Sequence, residues 1–128
     1  MRNVKEQTPK LYEYELPGGW KVLAGKTDED NDLLSLKAAN SGDWWFHVRS
    51  MAGSHVILRE KPDEEPDNET LKRAAAIAAF HSKARRGGVV SVTYTRAQYV
   101  TKPRGAKPGT VSIRKEKLLK VRPGIPEE

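Results

Sequence analysis

Bulky residues alternate with polar ones early in the chain: Leu11, Tyr12, Tyr14 and Leu16 punctuate LYEYEL, the period of a half-buried strand. Pro17-Gly18-Gly19 supplies a turn, and residues 20–24, WKVLA, return as a second strand of a hairpin. Residues 28–32, DEDND, are a polar loop. Its Asn31 or Asp32 can cap a short helix over residues 33–39, which Asn40-Ser41-Gly42 ends. Residues 44–49 and 55–60 predict two more strands around Ser50-Met51-Ala52-Gly53. The segment KPDEEPD, residues 61–67, is a connector.

The period then lengthens to 3.6. A helix is predicted from Glu69 to about Arg86, capped by Asn68, with Leu71, Ala74, Ala75 and Ala78 on one face beside Ile77 and Phe80. Small alanines permit close approach to a sheet. Lys83, Arg85 and Arg86 fall in the last turn, where the helix dipole favours cations, and Gly87-Gly88 is the stop. Strands follow at residues 89–95, 98–101, 110–114 and 118–121, with Lys115-Glu116-Lys117 turning the last pair. The order predicts an α+β fold: a largely antiparallel β-sheet with one long α-helix and one short helix. One domain is expected over residues 11–123, with 1–10 a flexible lead-in and 124–128 a flexible tail.

Charge sharpens this picture. The net charge is +6 over 128 residues. Residues 1–70 hold 9 Lys/Arg against 14 Asp/Glu, whereas residues 71–128 hold 14 against 3. A one-sided basic half is the footprint of a polyanion binder. Cysteine is absent, which suits a reducing cytosol and leaves no thiol chemistry. No apolar stretch approaches the roughly 20 residues of a membrane span, and the N-terminus has no apolar signal region. A cytoplasmic protein with no membrane partner is expected.

The run DWWFHVRSMAGSHVIL, residues 43–58, concentrates candidate chemistry. In a strand, Trp44 and Phe46 share one face and Trp45 and His47 the other. One face is core, and the other would display Trp45 or the Trp44/Phe46 pair. An exposed ring beside Arg49 would be a base-stacking platform worth roughly 1–3 kcal/mol per base. Gly53-Ser54 could form a small anion nest, or Gly53 could simply supply a positive φ in the turn. His47 and His55 are either catalytic or structural. The spacing Asp43-x3-His47-x7-His55 matches no metal-site pattern, so no metal or other cofactor is expected. Downstream, KPRGAKPG at residues 102–109 places Lys102, Arg104 and Lys107 among two prolines and two glycines. A hairpin needs only two to five connecting residues. A stiffened loop carrying three cations therefore suggests phosphate binding, although the GxxxxGK[ST] phosphate loop is absent.

DWWFHVRSMAGSHVIL, AAAIAAFHSKAR and VTYTRAQYVTKPRGAKPGTV together resemble the NFACT-R domain, the RNA-binding module of the NFACT proteins, over roughly residues 20–123. Asn31-Asp32 followed by LLSLKAA fits that family's lead-in. The matching positions are Asp43, His47, Arg49, Gly53, Ser54, His55, Ser82, Lys83, Arg85, Lys102, Pro103, Gly105, Lys107, Pro108 and Gly109. Large members of the family join this module to further domains, bind the large ribosomal subunit with tRNA, and direct untemplated tailing of stalled chains. Some bacterial members were labelled fibronectin- or fibrinogen-binding. The resemblance covers the R module alone, so it implies RNA binding and does not carry over tailing.

The expectation is a non-catalytic module for structured RNA, tRNA or ribosomal RNA, related to ribosome-associated quality control. His47, Arg49, Ser54, His55, Lys83, Arg85, Arg86, Lys102, Arg104 and Lys107 are the expected nucleic-acid-binding residues. Two rivals make different demands. A phosphodiester- or nucleotide-processing enzyme needs His47, His55 and Asp43 on one phosphate. A protein-interaction module, adhesin-like or docking on a ribosomal protein, needs an exposed apolar patch.

Overall fold

The N-terminal alternation becomes a hairpin. In a computed structural model that describes residues 7–126, β1 (Leu11–Leu16) pairs antiparallel with β2 (Trp20–Gly25). Gly18 and Gly19 turn the chain with φ of 92° and 80°. The remaining strands are β3 (Trp44–Val48), β4 (Val56–Leu58), β5 (Val90–Arg96), β6 (Val100–Thr101), β7 (Ser112–Ile113) and β8 (Lys117–Val121). Six of them form one antiparallel sheet in the order β1-β2-β4-β3-β5-β8, while β6 and β7 pair as a separate ribbon. With two helices, this is an α+β fold.

Helix α2 (Asn68–Phe80) covers one face of the sheet. Its Ala74, Ala75, Ile77 and Ala78, all fully buried, pack on Val22, Phe46, Val48, Leu58 and Val92. The other face carries a smaller core of Leu34, Trp45, Ile57 and Val100. It lies under α1 (Asp28–Leu33), the π-helical turn Leu34–Ala38 that continues it, and the β6–β7 ribbon. The sheet is thus covered on both sides at β3. Neither Trp45 nor the Trp44/Phe46 pair is displayed, which corrects the stacking-platform expectation. Trp45 and Phe46 are buried, and the half-buried Trp44 has the Arg96 guanidinium 3.8 Å from its ring centroid.

Both helices depart from their predicted limits for local reasons. Thr27 caps α1 in a capping box: its Oγ1 accepts from the Asp30 amide while the Asp30 carboxylate accepts from the Thr27 amide, so the helix begins at Asp28. Asp67, not Asn68, caps α2. That helix ends at Phe80 instead of near Arg86 because tertiary contacts take the chain away. Ser82 bridges to Gly53, and the His81 carbonyl accepts from the Ser54 amide at 2.9 Å. Lys83, Arg85 and Arg86 therefore lie in a turn segment beyond the helix.

The last turn also differs. Lys115 has φ 57°, but β7 and β8 do not pair with each other. β8 joins β5, where Leu119 and Val121 complete the core beneath α2. The lead-in and tail are tied to the fold: the Lys10 amide donates to Asp30 Oδ1, the Gly124 amide donates to the Ala76 carbonyl, and Ile125 lies on the core. Residues 1–6 and 127–128 of the lead-in and tail lie outside the described residues. No described helix is long and apolar enough to cross a membrane.

Candidate nucleic-acid interface

A buried imidazole ties the second face together. His55 begins the return into β4 and is 2 % exposed. Its Nδ1 lies 2.8 Å from Ser35 Oγ, and its Nε2 lies 3.1 Å from the Gly109 carbonyl. A carbonyl only accepts, so Nε2 carries the proton. Trp45 Nε1 donates to Ser35 Oγ at 3.0 Å, leaving the Ser35 hydroxyl to donate to Nδ1. Every polar atom of the chain Trp45–Ser35–His55–Gly109 is used, and the ring is held as one neutral tautomer. Burial is the largest cause that pushes its pKa to about 4, followed by the neighbouring His47. His47, half-buried, stacks near-parallel with Trp45 at 5.9 Å and meets His55 edge-on at 5.4 Å. Burial lowers its pKa as well.

The same knot positions the basic loop. Asp32 Oδ1 accepts from the Gly109 amide at 3.0 Å, and Asp32 Oδ2 pairs with Lys102 Nζ at 3.0 Å. Lys102 also donates to the Thr110 carbonyl at 2.9 Å and to the Lys107 carbonyl, which uses all three of its protons. Gly109 has φ 88°, and a Cβ there would sit 2.9 Å from Asp28 Oδ1, so the chain needs glycine on both counts. Between these anchors the loop makes two turns, Ala106 N to Pro103 O and Thr110 N to Lys107 O. Arg104 and Lys107 remain exposed.

On the other side of His55, the turn at residues 49–54 is strapped to the end of α2. The Lys83 amide donates to the Ala52 carbonyl, and the Ser54 amide to the His81 carbonyl. Ser54 Oγ donates to the Gly25 carbonyl at 2.6 Å. Both donors of Ser54 are thus committed internally, so the anion-nest arrangement is not formed. Nor does Gly53 supply the positive φ, which falls on Ser50 at 63°. Gly53 serves close approach: a Cβ there would lie 2.7 Å from Ser82 Cβ.

These contacts tie two segments that carry predicted residues, the one after α2 and the basic loop, to the turn after β3 and to His55. The Lys83 amide lies against the turn that follows Arg49, the Arg85 guanidinium lies over the Phe80 ring, and the loop of Arg104 and Lys107 is anchored to His55 through Gly109. Beside His47 and His55 opens a cleft of about 270 Å³, lined by His47, Arg49, His55, Gly109, Thr110 and Ile113 among others. Arg49, Lys83, Arg85 and Arg86 are exposed. His55 lines the cleft, and Ser54 and Lys102 brace the segments beside it, all with their polar atoms engaged.

Asp43 does not join them. It is fully buried, and its carboxylate accepts from Arg59 Nη1 at 2.8 Å and from the Asn40 and Glu60 amides. Four residues of strand, roughly 13 Å, separate it from His47. The geometry required by the enzyme reading is not assembled. Among the described residues no group of three His, Asp or Glu side chains is placed to hold a metal ion. The large exposed apolar side chains described are Tyr12, Met51, Val89 and Leu118.

Two parts of the site escape sequence reasoning. Ser35 lies in the helical turn at 33–39 and gives no signal by type or spacing. His81 falls inside the helix predicted from Glu69 to about Arg86 and gives no separate signal there. It stacks on Tyr12 at 4.3 Å, lies 2.6 Å from the Tyr14 hydroxyl, and has its pKa pushed down to about 4 by burial and then by Arg85. Lys26 lies 4.8 Å from the Tyr12 ring centroid and Arg85 3.8 Å from that of Phe80. The cations at the end of α2 thus stand among aromatic rings.

A two-sided α+β sheet with a histidine-pinned basic loop defines a module whose cations are presented by turns and loops. The sequence matches the family described as the NFACT protein RNA binding domain over residues 10–115, and the chain belongs to that family. It is 40% identical over 119 residues to the Rqc2 homolog RqcH of Bacillus subtilis (strain 168), a match spanning 93% of this chain and 20% of that protein. The Rqc2 homolog RqcH of Streptococcus suis (strain 05ZYH33) is also 40% identical over 119 residues, with 93% and 21% covered. The chain thus spans about one fifth of the length of these relatives. Among solved structures, it resembles the C-terminal part of the fibronectin/fibrinogen-binding protein from Streptococcus suis, with a TM-score of 0.82 and 37% identity. That similarity covers 97% of this chain and 49% of the other.

Proposed function

We propose that this chain is a non-catalytic RNA-binding module that grips phosphates of structured RNA, tRNA or ribosomal RNA, in ribosome-associated quality control. The observation that carries the reading is the match to the RNA-binding domain family across residues 10–115. The placement of cations supports it. Arg104 and Lys107 are exposed on a loop fixed at both ends, so little ordering entropy opposes their contact with a phosphate. Arg49 lines the cleft, and Lys83, Arg85 and Arg86 add exposed charge on the segment strapped to the turn that follows it. In this reading His55, Ser54 and Lys102 position the binding groups, and His47 floors the cleft. An assignment without catalysis is supported by the engaged nitrogens of His55 and by the separate location of Asp43. The relatives named Rqc2 homolog support the ribosomal setting, with the large ribosomal subunit as the larger partner.

The test is RNA binding across a salt series. Log affinity should fall linearly with log salt, and the double substitution Arg104→Ala, Lys107→Ala should reduce the slope by about one unit for each phosphate contact removed. Absence of binding by the native chain at low salt would overturn the proposal.

A further inference from the structure

The coverings of the second sheet face stop short of its β8 edge. The ribbon, α1 and the π-helical turn bury Trp45 and Ile57 but leave the positions beyond them open. Register fixes which residues these are. His47 stands opposite Thr93, and Thr93 opposite Leu118. One step along, the Arg49 amide donates to the Ser91 carbonyl, and Ser91 stands opposite Lys120. Because side chains alternate, all six share the face away from α2, whereas Val48, Val92 and Leu119 between them point into the core beneath it. Arg49, Leu118 and Lys120 are exposed, with Leu118 at 45%, and Ser91 and Thr93 are half-buried.

We propose that this open end of the sheet is a floor for an unpaired segment of RNA, which runs from the basic loop across β3 and β5 to the β8 edge. The inference rests on the RNA-binding reading and adds a path and a strand state to it. Charge complementarity selects the occupant. The six positions hold two full cations, two hydroxyls, one imidazole and one aliphatic side chain, with no acid among them. Arg49 and Lys120 can pair with successive phosphates. Ser91 and Thr93 offer hydroxyls to ribose 2′-OH groups, and Leu118 offers apolar contact to a sugar or base. A lone exposed leucine is ordinary. Here it lies in one cross-strand row with a threonine and a histidine and beside a cleft of about 270 Å³. Three strands span roughly 10 Å, which suits one or two nucleotides and is far short of the span that duplex readers cover.

The experiment compares labelled single-stranded RNA with a fully paired RNA hairpin of similar length, using the intact chain and the variants Lys120→Ala and Leu118→Asp. Thermal melts establish that each variant is folded, and Lys120→Ala and Leu118→Asp alter exposed side chains. The expected result is a loss of single-strand affinity of about threefold to tenfold for Lys120→Ala, with a salt slope lower by about one. Leu118→Asp should lose more, and the paired hairpin should respond to neither. Suppose instead that Lys120→Ala and Leu118→Asp bind single-stranded RNA like the native chain, while Arg104→Ala weakens binding. The floor would then be wrong and the RNA reading would stand. Equal losses for both RNAs would overturn the preference for unpaired RNA. A native chain that binds neither RNA at low salt would overturn both proposals.

Discussion

Gly53 shows how one hydrogen atom sets the geometry of this site. Its Cα lies so close to the segment after α2 that a methyl group would approach Ser82 Cβ to 2.7 Å and the His81 carbonyl to 3.2 Å. Both neighbours are fixed by other bonds: Ser82 Oγ donates to the Ala79 carbonyl and accepts from the Ala84 amide. The obstruction cannot be relieved by a rotamer change. Gly53→Ala should therefore destabilise the fold by about 1–3 kcal/mol, as overpacking does, in urea unfolding. If it proves neutral, the strap between the turn and the α2 end is looser than this geometry requires. The sequence marks Gly53 but suggests the wrong reason for it. Positive φ is a local property, while close approach depends on a partner 29 residues away.

At the scale of elements, the loop at residues 102–109 behaves as a clamped arm. Its charge was evident from composition, but the division of labour among its cations was not. Lys102, Arg104 and Lys107 look equivalent in sequence, yet Lys102 spends its ammonium on Asp32, Thr110 and Lys107, and the other two remain exposed. Replacing Lys102 by methionine keeps the aliphatic stem and removes the clamp. It should cost about 1 kcal/mol and raise amide exchange at Gly109 and Thr110 about fivefold, measured by hydrogen exchange. Unchanged exchange would mean that Gly109 alone holds the loop. The strands were more readable. β1 matches its alternating segment residue for residue, because a hairpin depends on neighbours in sequence. The pairing of β8 with β5 was not readable, since it depends on which distant strand offers a free edge. Helix α2 is predicted but drawn too long: the run through Arg86 has helix-compatible residues, and contacts with the distant turn at Ala52, Gly53 and Ser54 end it at Phe80.

For the whole molecule, the three histidines set the response to acid. The folded state lowers the pKa of His55 and His81 from the usual 6.5 to about 4 and lowers that of His47 in the same direction. The unfolded chain therefore binds more protons between these values, so stability falls as pH falls. The contribution is fully present above pH 6.5 and is lost progressively towards pH 4. A second decline follows at lower pH, where Asp30 and Asp67 must be protonated. Both have pKa values below the usual 3.8, held there chiefly by backbone amides of Lys10 and Thr70 respectively. Thermal melts from pH 7.5 to about 2 should show this two-stage loss, and His81→Gln should remove part of the first stage. A melting temperature that is flat between pH 6.5 and 4 would contradict the engaged, neutral state of these rings.

The bond from His55 to Gly109 spans 54 residues, and that from Asp32 to the Gly109 amide spans 77. A chain made from its N-terminus completes α1, the first hairpin and the β3–β4 pair before residue 109 exists. During that interval Asp32 lacks both of its partners and His55 lacks one. The wall of the cleft therefore cannot close until most of the chain has been made, and it closes by a long-range contact that local sequence cannot hasten.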